Sequence, residues 1–411
     1  MFYLLFTLYF LAFCFFISRI SFTKNAGIEM KLLVSLFILK AGAGLLIGWM
    51  SATYYPQGND YWKLNRHGFE EYELLLKDPA KFFTSILYSP YDNNYGGFFS
   101  SVGSYWKDLA NNCIIKILAV CNIVSRGNYY INSLFINFLG FFGHVALYQV
   151  FIHIFPSKKW LVILGCFLLP TTLYFSSGIH KDGIIFTMLC LFSYAIYFSV
   201  RQHFTTKRIL LLLFSTLTIL LIRNYVFFLL IPAAFALYLS SSQKNVLKKF
   251  TILYAVLITL IILISLLIPS SSPLHILSAK QKDFTDLPVA NSQLKMDTLQ
   301  PDLSSFASNT PRAIEHALLR PYVWEFPGNF LMFPAIELLI FQLLFLLMLF
   351  KPENDPNVYR PFILFCFFFS LSLLLITGFI VPNAGSLVRY RSIYLPFIVI
   401  PILCNIRLKK K

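Results

Sequence analysis

The chain has 411 residues, of which 57% are hydrophobic, 18% aromatic and only 13% charged, and its formal net charge is +16. Soluble domains carry roughly 25% charged residues, and a soluble core could not cover 45 Phe side chains without leaving large apolar patches. A soluble enzyme, a disordered tail and a disulfide-rich secreted module are excluded, leaving an all-α polytopic integral membrane protein with a single transmembrane domain, 1–411.

A helix needs about 20 apolar residues to cross a ~30 Å hydrocarbon core at ~1.5 Å per residue. In chain order the predicted spans are 2–18, 32–51, 131–152, 160–176, 184–200, 209–222, 225–239, 250–269, 330–350, 361–380 and 392–406, eleven in all. The first has no basic leader, and Ser18-Arg19-Ile20 after it is a stop rather than a cleavage site, so it is a span and not a signal peptide. Two long loops, 52–130 and 270–329, face the outer side.

Within the first outer loop, residues 111–124 are apolar but only 14 long. Ile114, Ile117, Leu118 and Cys121 share a helical face with Lys116 opposite, which predicts an amphipathic helix lying in the outer interface. Counting it as a span would also invert every later loop. Residues 68–76 can form a second surface helix. The stretch 209–239 is interrupted by Arg223-Asn224, and each resulting half-hairpin is short. A helix over 209–222 covers ~21 Å, so its tip sits below the outer surface. Arginine at that depth is expected to face a polar, protein-lined cavity.

Charge patterning tests this layout. The loops 19–31, 153–159, 201–208, 240–249, 351–360 and 407–411 together hold 17 Lys+Arg against three acids. The loop 52–130 holds seven bases and seven acids, and 270–329 holds five bases and six acids. The asymmetry puts the N-terminus outside and the C-terminus inside. The basic excess therefore records orientation, and no nucleic-acid partner is expected.

Five of the seven cysteines lie in spans, and Cys113 and Cys121 are eight residues apart. That spacing is ~12 Å on a helix, too far for a disulfide. There is no Cys/His cluster with zinc spacing, no P-loop, no GxGxxG and no GxSxG, so no cofactor is expected.

The informative charges are those at the outer ends of spans. Asp60 follows the second span in Asn59-Asp60-Tyr61-Trp62 and is the best candidate general base, because desolvation there would raise its pKa. His180 is the alternative base. It lies in the turn Ser176-Ser177-Gly178-Ile179-His180-Lys181-Asp182-Gly183, which sets Lys181, Asp182 and a helix start at one spot suited to an anion. Arg223 caps the short hairpin, Arg320 and Trp324 close the second long loop, and Arg389-Tyr390-Arg391 precede the last span. Arginines gathered around one outer cavity would suit a phosphate or pyrophosphate. Glu337, an acid inside a span, is assigned a structural role.

A span followed by a long outer loop with interface helices, and an acid just after that span, resembles the membrane-embedded glycosyltransferases of the GT-C type. The segments Phe175-Ser176-Ser177-Gly178-Ile179-His180-Lys181-Asp182, Arg320-Pro321-Tyr322-Val323-Trp324-Glu325 and Asn383-Ala384-Gly385-Ser386-Leu387-Val388-Arg389-Tyr390-Arg391 are similar to stretches in proteins of bacterial surface-polysaccharide clusters. Those proteins are grouped with GT-C transferases or with O-antigen polymerases. The resemblance implies a polyprenyl-phosphate- or polyprenyl-pyrophosphate-linked sugar donor, a glycan acceptor and chemistry on the outer face of the bacterial inner membrane. It puts the base on Asp60 and the donor phosphates on Lys181, Arg223, Arg389 or Arg391. No paired acids stand beside Asp60, so a divalent metal is not expected. A transporter or flippase of lipid-linked glycans, or a non-catalytic assembly component, is the alternative. Transporters usually carry internal repeats with matched broken helices, and 209–239 has no partner in the other half.

Overall fold

Almost every apolar run closes its backbone hydrogen bonds within itself as a helix, as a hydrocarbon solvent demands. The computed structural model describes residues 1–54, 59–87, 104–288, 291–326, 330–353, 355 and 358–407. The first half comprises α1 (Phe2–Arg19), α2 (Ser21–Lys24), α3 (Met30–Tyr54), α4 (Asp60–Lys77), α5 (Pro79–Thr84), α6 (Tyr105–Ser125), α7 (Tyr129–Ile154), α8 (Lys159–Phe167), α9 (Pro170–Phe175) and α10 (Lys181–Arg201). The second comprises α11 (Thr206–Ile222), α12 (Asn224–Leu239), α13 (Val246–Leu267), α14 (Pro273–Thr285), α15 (Leu303–Leu319), α16 (Met332–Phe350), α17 (Arg360–Ile380), α18 (Ala384–Ser392) and α19 (Leu395–Cys404). No strand occurs among the described residues, only two isolated bridges.

Among the described residues, eight helices are long and apolar enough to cross a membrane: α1, α3, α6, α7, α10, α13, α16 and α17. The pair α18 and α19, bent by 65°, makes a ninth if counted as one span. The chain is an all-α integral membrane protein. One predicted span is broken, and another is preceded by an unexpected helix. Residues 160–176 divide into α8 and α9, where Pro170 opens a new helix. The last span is preceded by α18, a separate short helix that carries Arg389 and Arg391.

α7 is the central helix, packed along α3, α8 and α10. A Cβ on Gly143 would lie 2.8 Å from the Cα of Thr187, so only glycine lets α7 and α10 approach this closely. At the periphery α13 buries just Val246 and Phe250, with Leu253 and Tyr254 partly packed on the core, and most of its other apolar side chains face outward, as a lipid-facing helix requires.

The basic loops gather at one end. Lys159 donates to the Gly27 carbonyl, Lys158 pairs with Glu353, and the Arg407 amide donates to the Lys351 carbonyl. Arg201 sits over the Tyr359 ring, and Phe204 packs edge-on against Tyr238. The sets separated by charge are therefore also separated in space, into a basic end and a far end.

The far end carries a layer made of α4 and α6. The predicted interface helix 111–124 is longer than expected, because the Ser104 hydroxyl accepts from the Lys107 amide and starts α6 early. Both its ends are tied to the far end. Trp106 Nε1 donates to the Leu220 carbonyl near the end of α11, and Val124 accepts from Tyr9, about midway along α1. Arg126, its C-cap, reaches Met1 at the start of α1, and the length and composition of α6 would let it cross a membrane.

One detail of the expectation is reversed. Lys116 is not on a solvent face but buried against Glu71 of α4, the Phe82 carbonyl and Ser85, whereas Ile117, Val120 and Ile123 are exposed. α4 supplies the counter-charge, so this ion pair is buried between the two helices beside an apolar contact of Leu64 with Ile114, Ile115 and Leu118. The predicted surface helix 68–76 is the second half of α4, which Asn59 caps by accepting from the Trp62 amide.

Candidate functional site

The turn between α9 and α10 is shaped by two glycines. Gly178 has φ +80°, a left-handed conformation that disfavours side chains. A Cβ on Gly183 would lie 2.6 Å from the Ser176 carbonyl oxygen, so the end of α9 sits almost on the start of α10. This close return places His180 at the N-cap of α10 and buries Asp182 in its first turn.

Asp182 is the hub. It is 1% exposed, and its Oδ2 lies 2.8 Å from His180 Nδ1 and accepts from Arg389 Nε at 2.7 Å. Arg223 Nη2 donates to the other oxygen, Oδ1. The His180 contact to the carboxylate is shorter than the 3.2 Å approach of the Asp182 amide to the same nitrogen. That assigns the ring proton to Nδ1 and leaves the lone pair on Nε2. Burial, together with the Arg389 and Arg223 charges, holds the imidazole below its ordinary pKa despite the Asp182 carboxylate.

Aromatic groups enclose these charges. Arg223 Nη1 donates to the Tyr225 hydroxyl at 2.6 Å, and its guanidinium lies 4.6 Å from the Tyr390 ring centroid. The Tyr61 ring packs 4.7 Å from His180, and burial pushes the Tyr61 phenol well above its ordinary pKa. Among the described residues, Arg223 Nε is buried with no hydrogen-bond partner. Arg389 is 28% exposed by side chain, and Lys181 stands at the rim, near enough to Arg223, Lys107 and Asp60 for their charges to interact. One buried carboxylate thus faces two guanidiniums and an ammonium. The surplus is positive, and it sits where the first turn of α10 presents its amides.

The site residues expected from sequence divide into three groups. His180, Lys181, Asp182, Arg223 and Arg389 come together, joining positions more than 200 residues apart through one carboxylate. Asp60 is beside them, at the start of α4 and near Lys181, but it is exposed rather than desolvated. Arg391 and Arg320 do not share the cluster. Arg391, two positions from Arg389 on α18, points the other way and donates to the carbonyls of Ala317 and Arg320, closing the end of α15. Arg320 is held by Glu315 at 2.9 Å and Glu325 at 2.7 Å, which neutralise it. Trp324, 76% exposed, stacks on Tyr322 beside that clamp. The expectation of all these arginines around one cavity is therefore corrected. Positions two apart on a helix project to nearly opposite sides, and the acids of the second loop claim Arg320 first.

Glu337 is structural, as expected: it accepts from the Thr171 amide in the first turn of α9. Sequence reasoning passed over Lys40, His144 and Ser176, which meet in the bundle beneath the turn. The available signal was a lysine inside an apolar span. Among the described residues, no group of three or more His, Cys, Asp or Glu could hold a metal ion. The chain matches no family model, no curated protein and no solved structure.

Proposed function

We propose that this protein is a membrane glycosyltransferase or glycan polymerase that uses a polyprenyl-(pyro)phosphate-linked sugar at the far end of the bundle. The observation that carries the reading is the cation-rich cluster around Asp182, with the Arg223 Nε proton buried and uncommitted. In this reading the far end is the outer face of a bacterial inner membrane. The chain crosses eleven times, with α8–α9 and α18–α19 each as one bent crossing, α11 and α12 as a short hairpin, and α6 lying in the interface.

The chemistry follows from the charges. The acceptor hydroxyl oxygen bonds to the anomeric carbon, and the bond from that carbon to the phosphate oxygen breaks with its electron pair leaving on the phosphate. Arg223, Arg389 and Lys181 stabilise the developing negative charge in a dry, preorganised setting. The hydroxyl proton passes to Asp60, whose exposed carboxylate at the rim is open to an acceptor arriving from outside. His180 is enclosed by Tyr61 and bound to Asp182, so it orients the cluster.

Reconstitution in proteoliposomes with a polyprenyl-pyrophosphate-linked sugar tests the reading. Asp60→Asn should abolish transfer while donor binding persists, and Arg223→Ala should abolish both. Transfer at the parent rate by both variants would exclude this site, and donor translocation without transfer would favour a flippase. Reporter fusions at Lys107 and Lys207 should report opposite sides of the membrane.

A further inference from the structure

Lys40 is 2% exposed and lies ~21 Å below the end of α3 along its axis, deep in the bundle. Among the described residues it has no carboxylate partner. Its Nζ instead donates to the Ser176 carbonyl at 3.0 Å and the Ser176 hydroxyl at 3.1 Å, and lies 3.4 Å from the Ser177 hydroxyl. His144 of α7 joins from the other side, with Nδ1 2.6 Å from the Cys166 carbonyl and Nε2 3.3 Å from the Ser176 hydroxyl. Two elements that are distant in sequence, α3 and α7, are fastened to one serine.

That serine is the C-cap of α9, where helix carbonyls lack intrahelical donors and attract a cation. It also opens the turn that ends in His180, Lys181 and Asp182. Its carbonyl is the group that Gly183 approaches, so a shift of Ser176 must shift the start of α10. The space around the ammonium is closed as well, since a Cβ on Gly140 would lie 3.3 Å from Lys40 Cε.

We infer that Lys40 is a positioning residue for the anion site, a cation inside the membrane that fastens Ser176 and so fixes where the turn presents His180 and Asp182. It touches no substrate. The inference rests on the cationic cluster being an anion site, and the experiment separates the two claims. The full chain in nanodiscs is compared with Lys40→Met, which keeps length and loses charge and donors, and with Lys40→Gln, which keeps an N–H donor.

Hydrogen exchange of residues 176–183 is the first readout and inorganic pyrophosphate binding the second. Lys40→Met should speed exchange in 176–183 and weaken pyrophosphate binding, each about tenfold, as for a lost charged hydrogen bond. Protection of α7 and α17 should stay at the parent level, and Lys40→Gln should recover most of both losses. Parent-like exchange in 176–183 would overturn the inference, and so would deprotection spread evenly through the bundle. If Lys40→Met does not fold, Ser176→Ala with Lys40→Gln must show the same local loss or the inference falls. A parent chain that binds no pyrophosphate refutes the anion site, while the exchange result still decides the role of Lys40.

Discussion

Two arginine clusters stand at the far end on opposite sides of α18, and they are built from the same residue types in opposite proportions. Around Asp182, one carboxylate at 1% exposure holds Arg223 and Arg389, with Lys181 beside them. Around Arg320, one guanidinium is shared between Glu315 and Glu325, which are 34% and 19% exposed. The first has cation to spare around a carboxylate that is itself buried, with Arg389 28% exposed at its edge. The second is balanced toward negative charge and partly solvated. A binding site for an anion needs positive charge beyond what its own acids consume, so composition alone distinguishes a receptive cluster from a closed clamp. The arginines in the two clusters look equivalent in the sequence; their acids make the difference.

The comparison breaks most visibly at Asp182. Asp182→Asn leaves the buried Arg223 and the partly exposed Arg389 without their counter-charge, and loss of one partner of a buried ionic group costs about 3–5 kcal/mol. Thermal unfolding in detergent should show the largest drop of any single change at the far end. Unchanged stability would mean that the cluster is solvated and that its contrast with the Arg320 clamp is empty. Arg389→Ala is gentler on the fold because Asp182 keeps Arg223. It removes a charged donor from the site, about 1.5–3 kcal/mol, so pyrophosphate affinity should fall about 10- to 100-fold. An affinity unaffected by Arg389→Ala would move the binding site elsewhere.

A third effect comes from pH. The His180 imidazole is held below its unfolded value of 6.5 by burial and the arginines. The folded state then stays neutral while the unfolded state takes up the proton. Stability is fully present above about pH 6.5 and declines as pH falls toward the folded pKa, by at most about 1.4 kcal/mol per pH unit. His180→Gln should flatten this slope in unfolding midpoints measured from pH 7.5 downward. A slope that survives the substitution belongs to another group.

Much of this was readable in advance, and the reasons are physical. The all-α membrane character follows from apolar content, and the division of loops between two ends follows from where lysine and arginine are placed. Arg223 was legible because an arginine between two short apolar segments has few affordable environments. The union of Arg223 and Arg389 on Asp182 was not, since a contact across 207 residues depends on how α10, α12 and α18 pack. Nor could sequence distinguish Arg389 from Arg391, because α18 was not recognised as a helix distinct from the last span. Lys40 and Glu337 are both legible as charges inside apolar runs, but the sequence does not say what either one holds. In the fold the two never meet: one holds Ser176 and the other Thr171.

The smallest expected effect is the sharpest test of the difference between the clusters. Arg320→Ala removes the centre of the clamp, but its side chain is 24% exposed and its partners are more solvated than Asp182. Exposed pairs of this kind contribute about 0.2–1 kcal/mol. The Arg320 carbonyl that accepts from Arg391 belongs to the backbone and is kept in the variant. Unfolding should therefore shift only slightly, and pyrophosphate affinity should stay within about twofold of the parent, a change below 0.5 kcal/mol. A loss as large as that of Arg389→Ala would show that Arg320 reaches the anion despite its two carboxylates. The clusters would then be two walls of one site, and the acids of the second loop would act as a removable cover for a cation rather than as its permanent partners.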